Sequence, residues 1–213
     1  MNRLRITEIF FSLQGESRTV GFPTVFIRLT GCPLRCHYCD TEYAFTGGEY
    51  QQIEDIIQTA NQYKTPFITV TGGEPLAQPN CLILLEKLCD MGKQVSLETS
   101  GALDVSKVDL RVVKVMDLKT PKSGEMMRNL WDNIAYLNPK DQIKFVICGR
   151  QDYDWARMKM DEHQLANKCE ILFSPSHGEV DGAELAGWIL QDQLPVRMQL
   201  QLHKILWGDK KGV

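Results

Sequence analysis

Short β-rich runs recur along this chain at intervals that leave room for a helix between them, and that rhythm limits the fold more than any other feature of the sequence. The runs are TVFIRLT (24–30), FITVTG (67–72), QVSLETS (94–100), VVKVMDL (112–118), IKFVIC (143–148), EILFSP (170–175) and VRMQLQL (196–202). They read as near-continuous apolar segments, the pattern of strands covered on both faces. Between them Ile53, Ile56, Ile57, Ala60 and Tyr63 fall at helical spacing, as do Leu185, Trp188 and Ile189. Strand alternating with helix predicts a parallel sheet with right-handed crossovers. A closed eight-fold barrel usually takes about 250 residues. The 213 residues here therefore predict an α/β fold, an incomplete (partial) TIM-like barrel of parallel strands with outer helices, in one domain spanning 1–213.

In such folds chemistry collects at the C-terminal ends of strands. The unusual residues lie there: GCPLRC follows TVFIRLT, GGEP follows FITVT, SG follows VSLET, KTPKSG follows VMDL and SPSHG follows EILF. Charge narrows the partners. Twenty-seven acidic against 24 basic residues, a formal charge of -3, provides no broad footprint for nucleic acid. No run approaches the roughly 20 apolar residues that a bilayer requires, and MNRLRITEIFF lacks the apolar core of a signal peptide. A cytoplasmic protein without membrane or nucleic-acid partners is expected.

Seven cysteines, an odd count in a reducing compartment, point to metal binding and away from disulfides. Cys81, Cys89, Cys148 and Cys169 sit in apolar surroundings (CLILL, KLC, FVIC, CEILF) and are expected in the core. Cys32, Cys36 and Cys39 differ, standing together in GCPLRCHYCDT. A closed tetrahedral zinc site or a fully protein-ligated iron–sulfur cluster takes four protein donors, and this run supplies three. His37 is the one nearby candidate for a fourth, although its position directly after Cys36 turns its ring away from a site shared by Cys36 and Cys39. Zinc, a His-completed cluster and a cluster with an open iron all remain compatible with the spacing. TGGEP alone, with two glycines and a φ-restricting proline, reads as an ordinary strand-to-helix turn.

C-x3-C-x2-C with an aromatic residue before the last cysteine, followed by GGEP, resembles the radical S-adenosylmethionine (SAM) enzymes. That resemblance implies a [4Fe-4S] cluster on Cys32, Cys36 and Cys39 whose fourth iron is chelated by the amino and carboxylate groups of SAM. Reduction of the cluster then cleaves a carbon–sulfur bond and yields a 5′-deoxyadenosyl radical. By the same resemblance, SAM is held by Tyr38 and Asp40 of the cluster loop, Gly73 and Glu74 of GGEP, and Glu98 and Ser100 at a strand end. Thr120, Pro121 and Lys122, with Ser174, Pro175, Ser176 and His177, complete that expected set.

FFSLQGES, FIRLTGC, CDT and QLQLHKILWG narrow the likeness to the 7-carboxy-7-deazaguanine synthase family, radical SAM lyases of the 7-deazapurine (queuosine precursor) pathway, over residues 6 to 207. The family converts 6-carboxy-5,6,7,8-tetrahydropterin to 7-carboxy-7-deazaguanine by abstraction of the C6 hydrogen, ring contraction and loss of ammonia, with magnesium. Carried over, Leu13, Gln14, Gly15, Arg28 and Thr71 line the substrate pocket, and Thr41 gives its hydroxyl to Mg2+. Arginine suits a pterin carboxylate because its planar fork makes two parallel hydrogen bonds. The family also implies a flavodoxin or ferredoxin-type reductant and a homodimer. Two departures stand out: Ser17 replaces the glycine of the family's LQGEG, and the tail continues as WGDKKGV. His203 and Lys204, just after the last apolar run, are left outside the expected site. Competing readings are a radical activating enzyme acting on a protein glycine, which leaves LQGE, CDT and QLHK unexplained, and a non-enzymatic metal-binding module.

Overall fold

The computed structural model describes residues 2–208, 210 and 212. One nine-stranded sheet organises them. It opens with β1 (Arg3–Leu13), β2 (Pro23–Leu29) and β3 (Glu49–Gln52), and continues through β4 (Phe67–Gly72), β5 (Gln94–Thr99), β6 (Val113–Asp117), β7 (Gln142–Ile147), β8 (Glu170–Pro175) and β9 (Arg197–Met198). Its order is β3-β1-β2-β4-β5-β6-β7-β8-β9, so the two edges do not meet and the barrel stays open. β1 pairs antiparallel with β2 and β3, while every ladder from β2–β4 onward is parallel. The helices are α1 (Ile53–Ala60), α2 (Cys81–Asp90), α3 (Arg150–Glu162), α4 (Gly182–Gln191) and α5 (Leu202–Trp207). Among the described residues no helix is long and apolar enough to cross a membrane.

The strands are not apolar on both faces, as their composition suggested. Ile68, Val70, Val95, Leu97, Met116, Ile143, Phe145 and Phe173 point outward into apolar cores beneath the helices. The alternate residues Thr71, Glu98, Asp117, Lys144 and Ser174 point inward and line a cavity. Register fixes this arrangement: Arg28 lies opposite Thr71, Glu98 opposite Val115, Asp117 opposite Lys144 and Val146 opposite Ser174. Paired residues in a sheet share a face. The outer core falls into two bodies, one drawn from residues Leu4 to Val112 and the other from Met116 to Ile189. The helical stripe of α1 buries Ile53, Ile56 and Ala60 in the first. α4 starts where Asp181 accepts from the backbone N–H groups of Ala183 (2.8 Å) and Glu184 (3.3 Å), satisfying donors that a helix start leaves open.

Two segments depart from the sequence reading. β1 was not among the expected strands; a register shift between Ile6 and Glu8 breaks its alternation and hides its period. At the other end, the ladder of VRMQLQL to β8 takes in Arg197 and Met198, Gln199 N–H adds a bond to the Phe173 carbonyl (3.0 Å), and α5 begins at Leu202. His203 and Lys204 are therefore helical residues. Ser17 has φ 68, a left-handed conformation natural to glycine, which accounts for the glycine usual at this place in the family. Cys81, Cys89, Cys148 and Cys169 are all buried.

Candidate active site

The loop after β2 carries the three cysteines and is braced from three directions. Gly31 N–H donates to the Ala44 carbonyl (2.8 Å), His37 N–H to the Ser123 carbonyl (3.0 Å) and Arg35 N–H to Glu125 Oε1 (2.6 Å). The turn containing Thr120, Pro121, Lys122 and Ser123 thus buttresses the cysteine loop from behind. Thr120, Pro121 and Lys122 are not among the residues that border the cavity, which Lys119 beside them does. Thr120 Oγ1 donates to the Val146 carbonyl (3.0 Å), and Lys122 Nζ to that of Cys148 (3.2 Å). His37 Nε2 lies 3.6 Å from Glu179 Oε1, and its side chain is exposed.

Cys32, Cys36 and Cys39 are half-buried and border one cavity of about 630 Å³. Burial raises all three thiol pKa values. Cys36 is pushed up to about 11 even though nearby Lys119 acts to lower it. Binding of metal must therefore drive off the thiol protons. Among the described residues no three His, Cys, Asp or Glu side chains converge on a single ion. A four-iron cluster has no such requirement, because each thiolate takes a different iron.

GGEP joins this loop to the sheet. Gly73 N–H donates to the Leu29 carbonyl (3.2 Å), and Glu74 N–H to that of Gly31 (2.8 Å). A Cβ on Gly73 would fall on the Gly31 carbonyl and lie 2.7 Å from Cys32 Cβ. This glycine is needed for contact with the cysteine loop. Gly73→Ala is expected to cost about 1–3 kcal/mol through overpacking and to lower iron uptake by displacing Cys32. Thermal melting of the metal-free chain and iron analysis after reconstitution check both effects, and an unchanged melt would contradict the packing account.

Glu74 stands apart from the cavity-lining residues. It is fully buried and does not border the cavity. Its carboxylate accepts from Leu76 N–H (3.0 Å), Thr99 Oγ1 (3.0 Å), Ser100 N–H (2.7 Å) and Ser100 Oγ (2.5 Å). Glu74 ties the β4 turn to the end of β5, where Ser100 borders the cavity.

The remaining expected residues do gather around the cavity: Tyr38, Asp40 and Thr41 beside the cysteines, Leu13, Gln14 and Gly15 at and after the end of β1, Arg28 on β2 and Thr71 on β4, then Gly73, Glu98 and Ser100, and Ser174, Pro175, Ser176 and His177 at and after the end of β8. Arg28 donates through Nε to Glu8 Oε1 (2.7 Å), which also accepts from Tyr43 Oη (2.8 Å). Partial enclosure of the Asp40 carboxylate acts to raise its pKa. The Thr41 hydroxyl (2.7 Å) and the Lys144 charge outweigh that and hold it below the ordinary value. Burial raises the Glu98 pKa, with the Lys144 charge opposing; Glu98 accepts from Thr71 Oγ1 (3.0 Å).

Sequence reasoning missed the charges deeper inside. Lys144 Nζ lies 3.0 Å from Glu16 Oε2 and 3.6 Å from Asp117 Oδ2, while Lys119 Nζ lies 3.0 Å from the same Asp117 oxygen. His203 also borders the cavity, though it was left outside the expected site. The missed signal was charge inside strand runs, in IKFVIC and VMDLK. Two buried polar atoms on the cavity wall, Tyr38 Oη and Asp117 Oδ1, have no hydrogen-bond partner among the described residues. Such atoms are rare unless something outside the chain satisfies them. Three cavity-facing thiols, unmatched polar atoms and a volume in the range of ligand sites fit a cluster with a nucleoside-sized cofactor beside it.

Comparison with known proteins agrees. The family model described as the Radical SAM superfamily matches residues 26–117. The 7-carboxy-7-deazaguanine synthase of Chlorobaculum tepidum is 44% identical over 214 residues, covering 99% of this chain and 97% of its own. That of Koribacter versatilis is also 44% identical, covering 99% and 100%. In fold, the crystal structure of QueE from Escherichia coli superposes with a TM-score of 0.77 at 22% identity, covering 94% of this chain and 95% of the other. With such identity over nearly its whole length, the chain belongs to the 7-carboxy-7-deazaguanine synthase family of radical SAM enzymes.

Proposed function

We propose that this enzyme is a carbon–nitrogen lyase that converts 6-carboxy-5,6,7,8-tetrahydropterin to 7-carboxy-7-deazaguanine with release of ammonia. One observation carries the reading: the three thiols and the guanidinium of Arg28 border the same cavity. When bound on Cys32, Cys36 and Cys39, a [4Fe-4S] cluster with SAM supplies a carbon-centred radical able to take the hydrogen from C6 of the pterin. The protein holds and orients the reactants. Tyr38, Asp40, Gly73, Ser100 and the segment 174–177 line the part of the cavity assigned to SAM. Leu13, Gln14, Gly15, Arg28 and Thr71 line the part assigned to the pterin.

Arg28 is well suited to the pterin carboxylate. Among the described residues its ion pair with Glu8 engages Nε, which leaves the two terminal amino groups for a second, forked partner. Arg28→Ala is expected to lower kcat/KM for the pterin by about 100-fold, the scale of one or two charge-assisted hydrogen bonds. Cleavage of SAM in the absence of pterin should persist. Loss of that cleavage as well would give Arg28 a different role. Thr41 is the proposed magnesium ligand: its hydroxyl donates to Asp40 and keeps lone pairs for a hard cation. A flavodoxin or ferredoxin-type reductant, a homodimer, a single domain and a cytoplasmic setting complete the proposal.

The test is direct. The chain is reconstituted anaerobically with iron and sulfide, then given reductant, SAM, magnesium and the carboxytetrahydropterin. Formation of 7-carboxy-7-deazaguanine, identified by mass, supports the assignment. SAM cleavage without any deazaguanine product would overturn it.

A further inference from the structure

Resting on the pterin-lyase reading above, we infer that Lys144 is a positioning residue for the substrate: its ammonium, from the floor of the cavity, holds Glu16 and so sets the segment 13–15. Lys144 occupies an unusual place. It stands in the middle of β7, with Ile143 and Phe145 on either side fully buried in the outer core. Its own side chain points inward, only 13% exposed. Placing an ammonium there is costly unless it is paired, and its pairs are Glu16 at 3.0 Å and Asp117 at 3.6 Å. Burial acts to lower its pKa, but Glu16, Asp117 and Glu98 more than offset this and hold it above the ordinary lysine value. The ammonium thus serves as a cross-link between Glu16 and Asp117.

Each residue near Glu16 is anchored to a different element. Gln14 Nε2 donates to Thr69 Oγ1 (3.0 Å), Ser17 N–H to Gln199 Oε1 (2.8 Å) and Arg18 N–H to Gln142 Oε1 (3.1 Å). Gly15 is pressed against His203, whose Nδ1 would lie 2.5 Å from an added Cβ, and its carbonyl accepts from Leu202 N–H (3.0 Å). Within this set the Lys144–Glu16 pair joins two full charges inside the cavity. Asp117 extends it through Lys119, whose Nζ lies 5.6 Å from the centre of the Tyr38 ring. Cutting the pair frees the Glu16 carboxylate to swing into the space that the pterin needs. It also leaves Glu16 and Glu98 facing the cavity without the Lys144 charge, while Asp117 keeps Lys119 at 3.0 Å.

Lys144→Met, Lys144→Arg and Glu16→Gln are compared with the wild type as reconstituted enzymes. For Lys144→Met, KM for the pterin is expected to rise at least tenfold, with cluster content within twofold of wild type. Lys144→Arg should recover most of the loss, and Glu16→Gln should raise KM in the same direction. A purely structural lysine would instead lower iron content and turnover together, and that outcome overturns the inference. So does an unchanged KM in Lys144→Met, or in Glu16→Gln should the lysine variant fail to fold. If the wild type makes no deazaguanine, the lyase reading fails first, so the two failures are distinguishable.

Discussion

Cys36→Ala is expected to fold and yet take up no stable four-iron cluster, losing the broad absorption near about 400 nm and all turnover. The loop carrying Cys36 is held by backbone bonds to Ala44 and Ser123 that the substitution leaves in place, so the loss is chemical and not a collapse of the loop. Two thiolates cannot hold a cluster that three hold with one iron left over for the cofactor. Cys81→Ala is the control: this thiol is fully buried in the outer core, and its loss should cost about 1 kcal/mol of packing while leaving iron content and turnover intact. A full iron complement in Cys36→Ala would remove the ligand assignment on which the proposed chemistry stands.

Glu74→Ala is expected to be the most destabilising single change near the site, by about 3 kcal/mol or more, because it removes at once the acceptor shared by donors on Leu76, Thr99 and Ser100. Against a total stability of about 5–15 kcal/mol that is a large fraction. Glu74→Gln keeps the volume but sets an amide N–H2 against groups that are themselves donors, so it should recover only part of the loss. Urea unfolding of the metal-free protein reads the difference. A loss below about 1 kcal/mol would mean that the carboxylate is available to a cofactor, as the family resemblance first suggested.

These two residues mark how far the sequence could be read. The three cysteines were legible because a metal site is specified by residue type and spacing, and the loop after a parallel strand is where such residues collect. Glu74 was legible as important but its surroundings were not: TGGEP states that a carboxylate follows a tight turn, but not that Thr99 and Ser100, 25 and 26 residues away, would bring donors to it. Lys144 and Asp117 stand inside near-continuous apolar runs, which masks them. In QVSLETS Gln94, Ser96 and Glu98 alternate with the apolar Val95 and Leu97, as Thr69 and Thr71 do with apolar residues in FITVTG and Lys144 between Ile143 and Phe145, a period of two visible once it is sought. β1 escaped because its bulge shifts that period midway, and the strand expected over 196–202 ends early, at Met198, because a run such as QLQLHKILW fits strand and helix alike until Gln199 is drawn to Ser17.

The division of the outer core at β5 and β6 has a consequence for the completed enzyme. Arg28 and Thr71 belong to strands that pack on the first apolar body, and Lys144 and Ser174 to strands that pack on the second, yet all four line one cavity. Reactants seated there bridge the two halves of the molecule and strengthen their attachment by the free energy of binding, about 2.7 kcal/mol at a hundredfold excess over Kd. The same occupancy that prepares the reaction therefore also clasps the half-open barrel around it.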